Sequence, residues 1–144
     1  VSIKEFAMKT RVIRVMSCGA KHGPAPESAD LFIDCRGFIN PFYDKSLRSK
    51  TGAANAVKQY LEQSDEVIAM REAIGCMLKA MLPGLVTRSN YHSDILLAFM
   101  CTGGQHRSRY FAIEAQRMAR EIVSANPGWG DVRVVLKHRD KAQH

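Results

Sequence analysis

Residues 100–109, MCTGGQHRSR, place a cysteine six positions before an arginine, with two glycines between them and a serine after the arginine. Glycines let a backbone turn tightly and approach an anion, and the planar guanidinium of an arginine can grip two phosphate oxygens at once. If a helix begins here, the backbone N–H groups of residues 102–106 point at the same anion, and the Ser108 hydroxyl adds a donor. The spacing predicts a phosphate-binding loop centred on Arg107.

The motif leaves two roles open for Cys101. The spacing C-x-x-G-x-x-R-S satisfies the signature of cysteine-dependent phosphatases, in which the cysteine attacks phosphorus, the arginine clamps the transition state and a distant aspartate is the general acid. Asp34 and Asp44 are the available acids, although a lone aspartate in a loop is more often a cap or turn residue. The catalytic set of this alternative is Cys101, Arg107 and Asp34. In the other interpretation the cysteine lines a cradle and no residue is catalytic.

Hydrophobic periodicity places this loop between a strand and a helix. Short apolar or β-rich runs predict strands, and apolar residues at helical spacing predict helices. The predicted strands are residues 11–17, 31–35, 94–100 and 132–136, and the predicted helices are residues 53–63, 65–82 and 105–123. Ser64 is the expected N-cap of the second helix, and Pro83 with Gly84 is expected to end it. The apolar run before the glycine loop is typical of a central parallel strand covered on both faces.

Strands that alternate with helices predict a single α/β domain, with a mostly parallel sheet of about four strands flanked by helices. In such a sheet the ligand site lies beyond the carboxyl ends of the strands. The loops after Ser17, Cys35 and Met100 all leave from those ends, so we expect them to meet around one site. Residues 1–7 are interpreted as a non-native remnant or disordered start before Met8, and residues 8–144 as the domain.

Composition and charge exclude several functions. The 144 residues are 46% hydrophobic and 24% charged, and they hold no apolar run long enough to cross a bilayer, which excludes a membrane role. The cysteines at positions 18, 35, 76 and 101 are too irregularly spaced for a zinc site and indicate a reduced, cytoplasmic chain. No metal or cofactor is predicted. The net charge of +7 favours anionic partners, such as phosphorylated metabolites or nucleic acid.

Three further loops form a specific pattern with the glycine loop. In chain order they read SCGAKHG from Ser17, DCRGFINP from Asp34 and LRSKTG from Leu47, followed by CTGGQHRS from Cys101. In this order and spacing they resemble the RapZ C-terminal domain family of RNase adapter proteins, over most of the chain from about Arg11. The resemblance implies a domain that binds an amino-sugar phosphate, takes part in binding small RNA and self-associates as a homo-oligomer.

The resemblance also implies which residues surround the ligand. They are Lys21, Arg36, Asn40, Thr102, Gly103, Gly104, His106 and Arg107, to which the loop chemistry adds Ser108. The family can place a histidine where this chain has Phe42, so the identity of the sugar stays open. The family's upstream domain carries a Walker loop. Because this chain contains no G-x-x-x-x-G-K-[ST], we expect no nucleotide-dependent activity from it.

Basic residues near the end of the chain are the candidate RNA contacts. Residues 131–144 carry an excess of two positive charges, and Lys137, Arg139 and Lys141 are the candidates for RNA binding. A short solvated tail has the same composition, so the charge alone does not separate the two interpretations.

The four matching loops favour a binding domain over a phosphatase, which only one loop matches. We therefore predict a sensor or adapter that binds a phosphorylated metabolite, with a cysteine-dependent phosphatase as the first alternative. A pure RNA-binding module, whose glycine loop grips the phosphates of the RNA backbone, is the second.

Overall fold

The predicted strands form one sheet in the computed structural model, which describes residues 10–88 and 93–140. The strands are β1 (Arg11–Gly19), β2 (Leu31–Asp34), β3 (Ile95–Cys101) and β4 (Val132–His138). All of them pair in parallel, in the order β2-β3-β1-β4. Three helices, α1 (Asn55–Glu62), α2 (Asp65–Thr87) and α3 (Arg107–Ser124), flank the sheet in the described part of the chain. The prediction of a single α/β domain is confirmed, while residues 1–7 and Lys141 lie outside the described residues.

Helices cover one face of this sheet. The inward side chains of the two central strands are fully buried among apolar side chains of all three helices; they are Ile13, Val15, Ile95, Leu97 and Phe99. Ala98 and Met100 of β3 are also buried, on the opposite face. In the sheet order β2-β3-β1-β4, the connections from β2 to β3 and from β3 to β4 lead toward the β4 edge, whereas the connection from β1 to β2 leads toward the β2 edge. Since crossover connections between parallel strands are right-handed, residues 20–30 are expected on the face opposite the helices. Side chains on both faces of β3 are thus buried, as predicted for a central strand.

The end of α2 differs from the prediction. Pro83 does not end the helix, which continues to Thr87. Proline removes one N–H donor from a helix, so continuation needs compensating contacts. Val86 is buried in the core, and the buried Arg11 side chain donates to the carbonyls of Leu85 and Val86 at 3.1 and 3.4 Å. The carbonyls at the end of α2 thus receive hydrogen bonds from a residue of β1. Because that residue is distant in sequence, the local sequence pattern could not reveal the contact.

The N-cap prediction for α2 is confirmed, since the Ser64 side chain accepts from Val67 N. No helix among the described residues is long and apolar enough to cross a membrane.

Two glycine-containing loops touch at the carboxyl end of the sheet. Gly19, the last residue of β1, lies opposite Cys101 of β3. A Cβ at Gly19 would lie 2.5 Å from the carbonyl carbon of Gly103 and 2.7 Å from Gly104 N. Only a residue without a side chain lets the two loops approach this closely. The contact fixes the glycine loop against the end of β1.

We predict that Gly19→Ala lowers the free energy of unfolding by about 2 kcal/mol, because the added methyl group overlaps backbone atoms that cannot move independently. Gly37→Ala is the control, since a Cβ at Gly37 would meet nothing within 4 Å. Urea denaturation of the two variants and the wild type measures the difference. Equal midpoints for Gly19→Ala and the wild type would contradict the close approach of the loops.

Candidate phosphate-binding site

The glycine loop leads directly into an uncapped helix. α3 begins at Arg107, two residues later than predicted, and its N-cap residue His106 makes no side-chain capping hydrogen bond. Its first turn contains no acidic residue. The first N–H groups of a helix lack intrahelical acceptors, and the helix dipole adds partial positive charge there. Gly104, with a φ of 74°, provides the left-handed turn that directs the chain into the helix. This end of α3 is therefore arranged to bind an anion.

Arg107 places a full positive charge at the same point. Its side chain is only 5% exposed, and Nη1 donates to the carbonyls of Arg36 and Phe38 at 2.9 and 3.0 Å. Within residues 10–88 and 93–140, no carboxylate forms an ion pair with it. Asp34 acts on this guanidinium electrostatically, but only from beyond ion-pair distance, so an anion bound directly to it would be favoured. The two carbonyls also fix the orientation of the guanidinium before any ligand arrives.

A cavity of about 250 Å³ lies at this helix end. It is lined by Lys21, Asn40, Phe42, Cys101, Thr102, Gly103, Gln105, His106 and Arg107. Six of the nine residues predicted to bind ligand are in this lining. Lys21 is exposed, donates its backbone N–H to the Thr102 carbonyl at 3.1 Å and extends its side chain over Gly103.

Larger hollows lie on the surfaces of α2 and α3, with volumes of about 470 and 750 Å³. Their arginines include Arg71, which is paired with Glu62, and Arg117, which is paired with Glu114 and Glu121. The charges of Arg71 and Arg117 are thus neutralised, Lys79 and Arg120 are exposed, and neither hollow includes a helix N-terminus. The smaller cavity is therefore the better candidate for a phosphate ligand.

Arg36, Gly104 and Ser108 are the predicted ligand residues that do not line the cavity. The Arg36 guanidinium grips both carboxylate oxygens of Asp34, with Nε–Oδ1 at 2.9 Å and Nη2–Oδ2 at 2.7 Å. Ser108 is fully buried beneath the loop. Arg36 thus contacts Arg107 through its backbone carbonyl. Gly104 and Ser108 contribute to the conformation of the loop.

Cys101 lies at the base of the cavity. The side chain is 2% exposed, the thiol donates to Ser108 Oγ at 3.1 Å, and Sγ accepts from the Gly104 N–H at 3.3 Å. These contacts link the end of β3 to the middle of the glycine loop and to the first turn of α3. The sulfur can serve as a structural anchor or as a nucleophile with this geometry.

The two candidate acids are held by other groups. The hydrogen bond from Arg36 is the main cause of a lowered pKa for Asp34. Hydrogen bonds from the Ser46 hydroxyl and backbone lower the pKa of Asp44. Both carboxyl groups are therefore ionised at neutral pH, and neither carries the proton that a general acid must donate.

Gln105 and His106 attach residues 47–50 to the glycine loop. Gln105 Nε2 donates to the carbonyls of Arg48 and Lys50 at 2.6 and 2.7 Å. His106 Nε2 lies 3.1 Å from the Leu47 carbonyl. Burial lowers the pKa of His106 although that carbonyl opposes the shift, so the ring is neutral at neutral pH and donates Nε2–H. The anchoring role of Gln105 was missed, because nothing in the motif distinguishes it from a spacer residue.

Phe42 forms the outer rim of the cavity and is 52% exposed. The Arg48 guanidinium lies 4.6 Å from the centre of its ring, and Arg48 Nε donates to the Phe42 carbonyl at 2.7 Å. Asn40 Oδ1 accepts from the Phe42 N–H at 3.1 Å. The ring is thus fixed in place by residues on both sides of it in sequence.

The two predicted RNA contacts that the structure describes, Lys137 and Arg139, differ in their surroundings. Lys137 is exposed on β4. The Arg139 guanidinium pairs with Asp140 at 2.9 Å and donates to the carbonyl of Gly19 at the end of β1 and to carbonyls of Gly23 and Pro24 in the loop that follows. Asp140 Oδ2 in turn accepts from Gly19 N at 2.8 Å. Arg139 therefore stabilises the loop that carries Lys21, and Lys141 lies outside the described residues.

Comparison with known proteins identifies the family of this chain. Residues 11–142 match the RapZ C-terminal domain. A nucleotide-binding protein of Fervidobacterium nodosum is 36% identical over 138 residues, which are 96% of this chain and 45% of that protein. A nucleotide-binding protein of Xanthomonas campestris is 34% identical over 140 residues, which are 96% of this chain and 47% of that protein. The chain thus spans about half the length of these relatives. The match of residues 11–142 to the family model shows that the chain belongs to the RapZ C-terminal domain family.

Proposed function

We propose that this domain binds a phosphorylated small molecule of the amino-sugar phosphate type and acts as a sensor or adapter without catalysis. The observation that carries the proposal is the buried Arg107 guanidinium, which has no carboxylate partner among the described residues and lies at the uncapped start of α3. A phosphate group bound there would neutralise this charge and accept from the free N–H groups of the helix.

The location and partners belong to the same proposal. Four free cysteines, of which three are buried, support action in the reducing cytoplasm. Residues 8–144 form the functional unit, which assembles as a homo-oligomer in the manner that family membership implies. Relatives named nucleotide-binding proteins are about twice as long, so an adapter role would couple ligand binding here to a function elsewhere in a larger assembly.

Binding of small RNA is a further part of the proposal. It is supported by the net charge of +7 and by the exposed Lys137. Arg139 contributes indirectly, because its guanidinium is occupied by Asp140 and by backbone carbonyls. A module that binds only RNA has less support, since the cavity is enclosed enough to hold a small molecule.

A cysteine-dependent phosphatase is the second candidate. It is favoured by the contacts of Cys101 Sγ with the Gly104 N–H and the Ser108 hydroxyl, which would stabilise a thiolate. It lacks a general acid, because Asp34 is ionised and bound to Arg36 on both oxygens. The protonation of a leaving oxygen would need another donor.

The binding proposal predicts that Lys21→Met weakens the affinity for an amino-sugar phosphate such as glucosamine 6-phosphate about tenfold, because it removes one charge beside the phosphate. Arg107→Lys should abolish binding, since lysine cannot replace the bidentate fork. Isothermal calorimetry measures both affinities, and Lys58→Met on the exposed surface of α1 is the control with the same charge change. Wild-type affinity in both variants would contradict the assignment of the phosphate to this loop.

For Cys101 we predict that Cys101→Ser binds the same sugar phosphate nearly as well as the wild type. The serine hydroxyl can keep the contact with Ser108, and the other anion donors are unaffected. The wild type should not hydrolyse aryl phosphates or phosphotyrosine peptides. Steady turnover that disappears in Cys101→Ser, or a trapped phosphocysteine, would instead establish the phosphatase.

The RNA proposal predicts a steep loss of affinity between low and physiological salt. Replacing Lys137 and Lys141 together by Gln should reduce the slope of log K against log salt by about 1.4 for single-stranded RNA, at about 0.7 for each phosphate contact. Filter binding over a salt series measures the slope, with Lys58→Gln as the control. An unchanged slope would exclude contacts from the end of the chain.

A further inference from the structure

We propose that Cys101 is a site of oxidation by small hydroperoxides, and that Cys35 then converts the oxidised sulfur into a disulfide at the base of the cavity. The modification itself does not depend on the proposed function, because it concerns thiols of the protein and not its ligand. Its effect on phosphate binding rests on the proposed function, since Cys101 lines the same cavity.

Cys35 and Cys101 lie opposite each other on adjacent parallel strands. The register of β2 and β3 ends with Asp34 opposite Met100, and the Cys35 N–H donates to the Met100 carbonyl at 2.6 Å, which continues the register by one residue. Both cysteine side chains belong to the buried apolar core, so they point to the same face of the sheet. Adjacent strands are about 4.8 Å apart, and a disulfide spans Cα atoms about 4.4–6.8 Å apart. The two thiols can therefore be joined with little movement of the backbone.

The other two cysteines are not placed to pair with Cys101. Cys18 lies opposite Met100 in the register of β1 and β3, so its side chain is on the other face of the sheet from that of Cys101. Cys76 is exposed in the hollow between α2 and α3. Cys18 therefore serves as a control for a buried thiol, and Cys76 for an exposed one.

Cys101 has the surroundings of a reactive thiol. Its sulfur accepts from the Gly104 N–H at 3.3 Å and lies beside the uncapped start of α3, and both features favour the thiolate that attacks a peroxide. The cavity of about 250 Å³ admits a molecule as small as hydrogen peroxide. Cys35, by contrast, is fully buried, and burial raises the pKa of its thiol. Cys101 is therefore oxidised first, and Cys35 reacts with the product.

The reaction has two balanced steps. In the first, the Cys101 thiolate attacks a peroxide oxygen: an S–O bond forms, the O–O bond breaks, and the leaving hydroxide takes a proton from solvent. The sulfur is thereby oxidised to a sulfenic acid, and the peroxide is reduced to water. In the second, the Cys35 thiol attacks this sulfur: the S–S bond forms, the S–O bond breaks, and the hydroxide leaves as water with the proton of Cys35. Thiol–disulfide exchange with a small thiol reverses the modification.

The disulfide would disturb the groups that orient Arg107. Cys35 directly precedes Arg36, whose carbonyl accepts from Arg107 Nη1 at 2.9 Å. Drawing the Cys35 sulfur toward β3 therefore displaces an acceptor of the guanidinium, and the Cys101 sulfur loses its contact with the Gly104 N–H. We expect oxidation to weaken phosphate binding about tenfold, which corresponds to the loss of one charge-assisted hydrogen bond.

Mass spectrometry of tryptic peptides tests the pairing. The protein is treated with hydrogen peroxide, its remaining thiols are blocked with iodoacetamide under denaturing conditions, and it is digested without reductant. Trypsin places the four cysteines in separate peptides, which are residues 15–21, 22–36, 72–79 and 89–107. We expect the peptides 22–36 and 89–107 to be linked, and dithiothreitol to separate them.

Two serine variants distinguish the roles of the thiols. Cys35→Ser should leave Cys101 as a sulfenic acid that dimedone traps, because no thiol then lies opposite it. Cys18→Ser is the matched change at a buried thiol on the other face of the sheet, and it should form the same disulfide as the wild type. The peptide pair of the wild type decides the question if either variant fails to fold.

The outcomes separate this proposal from the proposed function. A wild type without the linked pair, or with peptides 15–21 and 89–107 linked instead, would overturn the pairing of Cys35 with Cys101. A folded Cys35→Ser variant without a dimedone adduct on Cys101 would overturn the order of the two steps. Calorimetry with glucosamine 6-phosphate compares the reduced and oxidised proteins, and equal affinities would overturn the effect on binding. If the disulfide forms but the reduced protein binds no sugar phosphate and no inorganic phosphate, the proposed function fails while the modification stands.

Discussion

The arrangement of the site depends on one buried charge. Arg107 is the first residue of α3, and its guanidinium is held by the carbonyls of Arg36 and Phe38 in the loop after β2. Removing a guanidinium from water costs several kcal/mol, and two neutral carbonyl groups recover only part of that cost. The start of α3, the loop after β2 and the glycine loop must therefore all be positioned around this guanidinium. The residual cost is what an anion would relieve, so the same interaction links folding to binding.

The loops around this charge are fixed to each other mainly through backbone groups. Gly19 allows the loop after β1 to touch the glycine loop, and Gly52 makes a similarly close approach to the start of α3. Gln105 and His106 reach the carbonyls of residues 47–50, and Arg139 holds the loop after β1 from the end of β4. Such a site needs little reorganisation on binding, because its donors are already oriented. Replacing one of these glycines would push the loops apart, although neither glycine lines the cavity.

The elements and the position of the glycine loop at a carboxyl strand end could be predicted from sequence because both depend on local pattern. Apolar runs defined the strands, and the Cys101–Ser108 motif defined the loop at a carboxyl strand end. What failed depended on contacts between distant residues. The prediction that Pro83 ends α2 was wrong, and the buried Arg11 side chain of β1 donates to the carbonyls of Leu85 and Val86 beyond that proline. The assignment of Arg139 to RNA stays a prediction, although its guanidinium is already paired with the neighbouring Asp140. Composition counts charges but does not show which of them are already paired.

That distinction changes what the net charge means. Arg14, Arg36, Arg71, Arg117 and Arg139 are all paired with carboxylates. Around the cavity, by contrast, Arg107 lacks such a partner among the described residues, and Lys21 extends over the loop in solvent. Salt screens exposed charges over about 10 Å but acts much less on a buried one. Attraction of a polyanion to the surface would therefore be sensitive to ionic strength, whereas binding of a phosphate by Arg107 and the helix start, as proposed, would be far less so. Exposed and buried positive charges would thus contribute to anion binding in different ways.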